Sequence, residues 1–567
     1  MARVAAIAID AAEWPVVERL VDSGQLPNLA RIRARSARCR LRNVETYISD
    51  AIWTQLLTGK DAHANRHWGL VVFDPSTYEA YDGGAFDARP FYALGQRRKA
   101  IVFDVPHSVI APDVEGAQVT GWGAHGPHYP RAASPRGLLR EIDAVFGPHP
   151  AFDNDYDTGW YDDAYIDRLT QALLRGASRR LEIASWLTER VPDWGILLTS
   201  MSEVHSAGHH FWHGIDAGHP LHETPTAPLA GRRLVEVAHG VDEAIGNFTG
   251  SLPPDTVLMV FALHGMGPAD DLLSLVLLPE LLHRLRFGKP LLRDPDQGAW
   301  RRTGHPPVTP TSEEAWAVLT DLEERAALGG RARLRRTARR LLGRRLYEHA
   351  RRLAGRPAAR RIWELDEEPP PETDLAPSDF RPYRKPLDWQ PVMWYQRYWP
   401  RMHAFALPSF DDGHIRINLR GRERDGVVDP GDYRRACDAV VASLRECRDP
   451  RTGGPAVAET FSMRADDPMG PEGPDADIVV KWSTALDALE HPTVGLVGPH
   501  PHLRTGQHTA NGFALFSGPG VEPVDLGERS ALDLTPTILE LLGEPAPADM
   551  HGRSLAAAFR SAKPAAS

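Results

Sequence analysis

Short apolar runs recur along the chain, and each is about as long as a single buried strand. The runs are continuous rather than alternating, which is typical of parallel strands covered by helices on both faces. The runs lie at residues 4–9, 99–104, 194–200, 256–262 and 512–517. Segments with helical periodicity lie between and after them, at residues 14–21, 27–32, 51–57, 161–188, 234–248, 432–444 and 533–542. This alternation predicts an α/β fold with a mainly parallel central sheet and helices on both faces.

The alternation stops between about residue 288 and residue 400. Within this stretch, residues 331–361 are strongly basic with apolar residues at helical spacing, residues 364–372 are acidic and proline-rich, and aromatic residues crowd positions 389–399. We interpret the stretch as an inserted helical and irregular cap. Its basic helix could bind an acidic partner, although a solvated face paired with local acids is the commoner use of such a pattern.

Beyond the insertion the strand pattern resumes. Residues 404–407 and 414–417 are predicted to be antiparallel additions, and residues 477–482 another strand. We therefore expect one discontinuous core domain formed by residues 1–287 and 401–560, the cap at residues 288–400 and a frayed tail at residues 561–567. Such an arrangement fits the pattern better than several domains in tandem.

The composition narrows the class of protein. Of the 567 residues, 42% are hydrophobic and 25% charged, as in ordinary soluble proteins. The formal net charge of −10 gives no general attraction to nucleic acid or to an anionic membrane. Three scattered cysteines argue for a reducing compartment and against a disulfide framework or a cysteine-based zinc site. No stretch reaches the ~20 apolar residues of a membrane span. We expect a cytoplasmic protein; its oligomeric state stays open.

Two polar residues near the start of the chain carry the first hint of chemistry. Asp10 directly follows the first apolar run, so it lies at the edge of the sheet where open α/β folds place their ligands. Ser49 directly precedes a helical pattern, and a helix N-terminus favours an anion. A carboxylate and a hydroxyl at one edge suggest a metal ion and a nucleophile. For this pair alone, a solvent-facing aspartate and an ordinary N-cap serine are the alternative.

Histidines lie close to three other strands. His205 and His209 follow the run at 194–200 and are four residues apart, so on a helix they share one face. His264 follows the run at 256–262, and His508 precedes the run at 512–517. Neutral imidazoles suit zinc and similar metals. A lone histidine is more often structural, but three such clusters favour a metal site. Residues 121–128 are rich in glycine and histidine without ligand spacing, so we interpret them as a pocket wall.

Taken in order, these stretches resemble the alkaline phosphatase superfamily, most closely its type I phosphodiesterase and nucleotide pyrophosphatase branch. The resemblance extends to about Leu555, excluding the insertion. It is carried by residues 9–12 with 26–29, by Ser49 through Gly59, by residues 264–266 and 505–508, and by residues 533–539 with 550–555. The order of the motifs is fairly specific, whereas no single motif is.

The resemblance implies a function and a set of roles. The family carries two metal ions, usually zinc, between which a serine or threonine attacks phosphorus. By position, Asp10, Ser49 and His264 would serve one metal, and a second group would hold the other: His205, His209 and His508. Ser49 would be the nucleophile, with Thr46 as the fallback. The implied cofactor is one or two Zn²⁺ ions or other divalent cations, and the implied substrate a small phosphate or sulfate ester.

The chain departs from the family pattern at three positions. His205 stands where the family has an aspartate, which leaves a three-histidine site of the kind that suits catalytic zinc. Leu263 stands where the family has a second aspartate before His264, so that site should bind its cation more weakly. Asp50 follows Ser49 where a proline is common. Glu203 lies near His205 in sequence and is a candidate ligand to compensate for the lost acid.

The leading hypothesis is a metal-dependent hydrolase of phosphate diesters, of the nucleotide pyrophosphatase/phosphodiesterase type, with a covalent Ser49 intermediate. Two alternatives stay open. A divergent enzyme could act on a sulfate ester, a phosphonate ester or a biosynthetic intermediate, because a changed site charge changes which oxyanion is preferred. A non-catalytic binding protein could retain the fold after losing one metal site through Leu263.

Overall fold

The computed structural model describes residues 3–83, 88–123, 131–152, 159–270, 272–293, 296–306, 308, 372, 385–387 and 390–560, with residues 48–50, 385–386 and 560 described by their backbone. Most of the predicted cap, including the basic segment at 331–361, lies outside the described residues, as does the predicted tail. Among the described residues, no helix combines the length and the apolar character needed to cross a membrane.

The regular elements are numbered in chain order. The strands are β1 (Arg3–Ile9), β2 (Ala37–Arg42), β3 (Val71–Asp74), β4 (Glu79–Asp82), β5 (Lys99–Phe103), β6 (Gly116–Thr120), β7 (Ala132–Ser134), β8 (Trp194–Met201), β9 (Thr256–Ala262), β10 (Gly265–Pro268), β11 (Lys385–Pro386), β12 (Ala404–Leu407), β13 (Gly413–Ile417), β14 (Val457–Ser462), β15 (Ile478–Trp482), β16 (Leu489–His491), β17 (Gly495–Val497), β18 (Gly506–Thr509), β19 (Asn511–Ser517) and β20 (Val524–Ser530). The α-helices are α1 (Trp14–Asp22), α2 (Pro27–Ala34), α3 (Ile48–Thr58), α4 (Ala62–Asn65), α5 (Leu138–Phe146), α6 (Asp163–Arg190), α7 (Glu203–Phe211), α8 (Ala227–Gly250), α9 (Leu278–Phe287), α10 (Gln297–Thr303), α11 (Tyr433–Arg445), α12 (Leu534–Leu542) and α13 (Ala556–Arg560).

A nine-stranded sheet forms the centre of the molecule. Its strand order is β20-β2-β19-β9-β1-β8-β5-β6-β7. The pairs of β1 with β8 and β9, of β5 with β6 and β8, and of β2 with β20 are parallel, whereas β19 is antiparallel to both of its neighbours and β7 is antiparallel to β6. The five apolar runs of the sequence all form strands of this sheet. The prediction of a mainly parallel central sheet is confirmed.

Helices cover both faces of the sheet, as predicted. Along β1, Ala5, Ile7 and Ile9 pack in an apolar cluster with side chains of α1, α2, α6 and α8. Val4, Ala6 and Ala8 alternate with them and pack in a second cluster with α3, α12 and α13. Because neighbouring residues of a strand point to opposite faces, a fully apolar strand is required wherever both faces are buried.

A second, four-stranded sheet has the order β12-β13-β15-β14 and is antiparallel throughout. It packs with α9, α11 and a 3-10 helix at Pro391–Arg401 around an apolar core of its own, in which Tyr395 and Trp399 are buried. The strands predicted at 404–407 and 414–417 are antiparallel to each other, but they lie in this sheet rather than in the central one. Local sequence patterns do not determine which sheet a strand joins.

Candidate active site

Five of the predicted site residues meet at one edge of the central sheet: Asp10, His205, His209, His264 and His508. Because β1 lies between β8 and β9 and runs parallel to both, the carboxyl ends of the three strands are adjacent. Asp10 follows β1, α7 begins two residues after β8, and His264 lies between β9 and β10. The antiparallel pairing of β10 with β18 places Met266 opposite His508 and so brings His508 to the same edge.

Three histidines form the centre of the site, and we call them the histidine group (His205, His209 and His508). They are the one set of residues in the described part of the chain whose side chains could share a metal ion, with one ligand atom from each within 4.8 Å of the others. Their ring centroids are 4.4, 4.9 and 5.0 Å apart. As predicted, His205 and His209 share one face of α7.

Hydrogen bonds fix the orientation of two of these rings. His209 Nδ1 donates to the carbonyl oxygen of Gly506 at 2.7 Å, and His508 Nδ1 donates to Asp411 Oδ1 at 3.1 Å. Both Nε2 atoms are therefore the lone-pair atoms of neutral rings. This is the arrangement in which supporting carboxylates and carbonyls prepare histidines for a metal ion. His508 Nε2 lies 2.9 Å from His205 Nε2, and Arg504 Nη1 donates to His209 Nε2 at 3.2 Å.

The electrostatic state of the group suits a cation. Burial lowers the pKa of His508 to about 3, with a further contribution from the neighbouring His264. Burial also lowers the pKa of His209 well below the usual value, with Arg504 and the other two histidines acting in the same direction. Rings that stay neutral at pH 7 can donate lone pairs to a metal without first releasing a proton. The donor set therefore fits a divalent transition metal.

Asp10 and His264 form a second polar pair directly beside the histidine group. Asp10 Oδ1 lies 3.2 Å from His264 Nε2, and both side chains are buried. The His264 ring centroid is 4.5 Å from that of His508. Leu263, by contrast, packs in the apolar cluster that contains Trp53 and Phe261, and its carbonyl oxygen accepts a hydrogen bond from Asn43. This pair therefore fits a cation less well than the histidine group does.

Glu203 is not brought to the histidine group. Its Oε1 accepts from Arg180 Nε at 2.9 Å and lies 3.1 Å from His149 Nε2, while Arg180 Nη1 donates to Asp104 Oδ2 at 2.7 Å. Burial acts to raise the pKa of Glu203, but Arg180 and His149 outweigh it and leave that pKa lowered. A carboxylate held by a buried guanidinium is poorly placed to bind a metal ion as well, so the structure gives Glu203 a structural environment.

Ser49 is the second residue of α3, so it lies in the first turn of that helix. The helix begins at Ile48, three residues before the predicted segment at 51–57, and Tyr47 rather than Ser49 is the N-cap. Tyr47 has a left-handed backbone with φ 58°, which is unfavourable for a bulky residue and marks a tightly constrained turn. The backbone N–H of Tyr47 donates to Asp412 Oδ2 at 3.3 Å. The fallback nucleophile, Thr46, lies immediately before this turn.

Three residues near the site were not singled out from the sequence: Asp411, Asp412 and Arg504. The adjacent acids just before the predicted strand at 414–417 were the available signal for the first two, and Arg504 lies four residues before His508. Of the predicted pocket wall at 121–128, Trp122 is fully buried against Phe103 and His149, and residues 124–128 lie outside the described residues.

No family model and no curated protein matches this chain. Similar solved structures include an inactive variant of murine ectonucleotide pyrophosphatase/phosphodiesterase 5 in complex with AMP (12% identity, 96% of each chain, TM-score 0.43) and the alkaline phosphatase PafA (10% identity, 97% of this chain and 98% of that one, TM-score 0.46). A third is phosphonoacetate hydrolase from Sinorhizobium meliloti 1021 with phosphonoformate (17% identity, 52% of this chain and 63% of that one, TM-score 0.31). All three are less than 20% identical to this chain, and the described topology alone carries the fold assignment.

Proposed function

We propose that this chain is a metal-dependent hydrolase of phosphate esters, foremost of phosphate diesters, that works through a covalent intermediate on Ser49. The observation that carries the proposal is the meeting of His205, His209 and His508 within 4.8 Å of one another, beside the buried pair of Asp10 and His264. This edge is also where open α/β sheets bind their ligands. The sequence resemblance supplies the reaction class.

The histidine group would hold one divalent metal ion, with zinc as the first candidate. When bound, the ion would supply Lewis-acid stabilisation of phosphoryl charge and lower the pKa of a hydroxyl group. Ser49 would attack phosphorus, so that a phosphorus–oxygen bond to serine forms as the bond to the leaving alcohol breaks. Water would then cleave the serine ester. The N-terminus of a helix favours an anionic group, and Ser49 lies in the first turn of α3.

Asp10 and His264 would form the weaker half of the site. The lost acid at Leu263 and the replacement of an acid by His205 make the site less negative by two charges than the family pattern. This observation supports the alternative that the oxyanion differs, as in a sulfate ester, a phosphonate ester or a biosynthetic intermediate. The same loss supports the non-catalytic alternative, in which the fold binds such a ligand without turning it over.

Metal analysis combined with the Ser49→Ala variant tests the proposal. We expect bound zinc in the purified protein and turnover of a chromogenic phosphodiester that falls by on the order of 10³-fold or more in the variant. Thr46→Ala is the matched control and should retain most of the activity. Full turnover by Ser49→Ala would show that the covalent mechanism is wrong.

A substrate panel separates the alternatives. The same chromophore is presented as a phosphate diester, a phosphate monoester, a phosphonate ester and a sulfate ester, and kcat/KM values are compared. Highest turnover of the diester supports the leading proposal, whereas a preference for the sulfate or phosphonate ester supports the divergent enzyme. Tight binding of these compounds without turnover of any of them supports the binding protein.

A further inference from the structure

Two adjacent acids beside the second sheet contact the histidine group and the N-cap of α3. They are Asp411 and Asp412, which we call the acidic turn, and they lie in the bend between β12 and β13. Both side chains are buried, with 7% and 4% exposure. Neither lies on the sheet that carries Asp10, α7 and His264. The acidic turn is therefore where the second sheet reaches the site.

Asp411 supports the histidine group. Its Oδ1 lies 3.1 Å from His508 Nδ1, and because a carboxylate oxygen only accepts, the ring must donate. The proton is thereby kept on Nδ1, and the lone pair of Nε2 is directed toward His205. A carboxylate in this position also increases the basicity of the imidazole.

Asp412 supports the first turn of α3. Its Oδ2 accepts from the backbone N–H of Tyr47 at 3.3 Å, and its Oδ1 pairs with Lys481 Nζ at 3.0 Å. The Tyr47 ring packs against His414 with centroids 4.3 Å apart, so the N-cap of α3 is held by the second sheet at two points. Ser49 follows two residues later. A shift of Asp412 would therefore move the turn that carries Ser49.

The backbone of the acidic turn is itself held in place. The carbonyl oxygen of Phe410 accepts from Gln507 Nε2 at 2.8 Å, which ties the turn to the strand of His508. Ser274 Oγ donates to the carbonyl oxygen of Asp411 at 3.0 Å, and Ser409 Oγ donates to that of Asp412 at 2.6 Å. The backbone that carries both carboxylates is therefore anchored at three consecutive carbonyl groups.

We propose that the acidic turn is a positioning element that keeps the histidine group and the first turn of α3 in register. Asp411 sets the tautomer and direction of His508, and Asp412 sets the position of the N-cap before Ser49. Neither acid is a ligand or a nucleophile. The part of the inference that concerns Ser49 rests on the proposed function. The effect of the acidic turn on the histidine group can be measured as metal affinity, without any turnover.

Zinc affinity tests the role of Asp411. In a competition titration with a chromogenic chelator, Asp411→Ala should weaken zinc binding about 10- to 100-fold, as is usual when the support of a ligand histidine is lost. Asp411→Asn, which keeps an acceptor oxygen, should lose less, and excess zinc should restore its activity. The control is Asp425→Asn, an exposed acid of the same region paired with Arg424, and its affinity should not change. Unchanged zinc affinity in Asp411→Ala would overturn this part of the inference.

Steady-state kinetics at saturating zinc test the role of Asp412. Asp412→Ala should lower kcat about 10- to 100-fold with little change in KM, because a small misplacement of a reacting group is costly. Excess zinc should not restore this loss, in contrast to Asp411→Asn. A rise in KM at unchanged kcat, or a loss of thermal stability without any change in kcat, would overturn the assignment.

A double-mutant cycle tests whether Asp411 and Asp412 act together. If the two acids form one element, Asp412→Ala should also weaken zinc binding through the shared backbone, and the combined variant should lose less zinc affinity than the product of the single losses. Full independence of the two losses would contradict a shared element. Because the cycle measures metal affinity, it can be completed even if the wild-type protein hydrolyses no ester in the panel. Such an absence of hydrolysis would contradict the proposed function but not this inference.

Discussion

The histidine group and the pair of Asp10 and His264 lie side by side at one edge of the sheet, yet they are built differently. The histidine group has three rings, two of them oriented by hydrogen bonds to Gly506 and Asp411. The neighbouring pair has one carboxylate and one ring, and the residue before His264 is a leucine turned into the apolar core. Topology brings the positions together, but single side chains decide how many ligands each position offers.

The difference also concerns charge. Burial lowers the pKa values of His209 and His508, so these two rings need no counter-charge in the interior. A buried carboxylate needs a compensating partner, because isolated charges are strongly disfavoured in the interior. Asp10 has His264 as such a partner. We therefore expect the histidine group to bind its metal tightly and the pair to bind a second cation weakly.

The largest expected difference in zinc affinity is between variants that remove one histidine from the histidine group and one from the neighbouring pair. His209→Ala should weaken the tightest zinc site about 100- to 1000-fold, because each of a few ligands supplies several kcal/mol of the binding free energy. His264→Ala should change that affinity by less than about threefold, since it belongs to the neighbouring pair. Isothermal titration with zinc measures both.

His210→Ala is the matched control for this experiment. His210 lies on α7 next to His209 and is equally buried, but it is not part of the histidine group. Its zinc affinity should equal that of the wild type. A larger loss in His264→Ala than in His209→Ala would reverse the comparison.

Much of the central fold could be predicted from the sequence. The continuous apolar runs are required where a strand is buried on both faces, so the strands of the sheet could be identified without contacts. The second sheet could not be separated from the first, because strands such as β13 and β15 have the same local pattern in either place. The partner of a strand depends on long-range packing, which no local pattern contains.

The positions of the candidate site could be predicted more fully than its supporting contacts. Asp10, the histidine group and His264 follow from strand ends and from spacing on one helix. The surroundings of Glu203 could not be predicted, since Arg180 and His149 are distant in sequence and approach it only in the folded chain. Asp411 reaches His508 across 97 residues of sequence for the same reason.

The Glu203→Gln variant tests whether this acid is a metal ligand. The variant removes one of the two carboxylates that pair with the buried guanidinium of Arg180. The free energy of unfolding should therefore fall by about 3 kcal/mol. Zinc affinity should stay within about twofold of the wild type, because the carboxylate is engaged elsewhere. Urea unfolding and zinc titration measure the two quantities.

Glu189→Gln, an exposed acid on α6, is the control and should change neither quantity. If Glu203→Gln weakened zinc binding strongly at unchanged stability, the carboxylate would be a ligand and the structural interpretation would be wrong.

Leu263→Asp should bring the weaker half of the site closer to the family pattern. A third ligand beside Asp10 and His264, and the second that is anionic, should tighten a second zinc site by about tenfold. The variant should be less stable in the presence of chelator than with zinc bound, because an unpaired buried charge is costly. Leu263→Asn removes the same apolar contacts without adding a charge. Equal zinc affinity of the two variants would show that the missing negative charge does not weaken cation binding at Asp10 and His264.

The smallest expected effect concerns protons rather than metal ions. Burial lowers the pKa of His508 to about 3, whereas an unfolded imidazole titrates near 6.5, so the unfolded state binds more protons between these values. The free energy of unfolding in chelator should therefore fall as the pH falls below about 6.5, by about 1 kcal/mol per such histidine between pH 7 and pH 5.5. His508→Gln should remove about that share of the fall, while the control His239→Gln, exposed on α8, should leave it unchanged. If the two variants showed the same pH dependence, His508 would not be held neutral in the folded protein. The electrostatic argument for the histidine group would then be wrong.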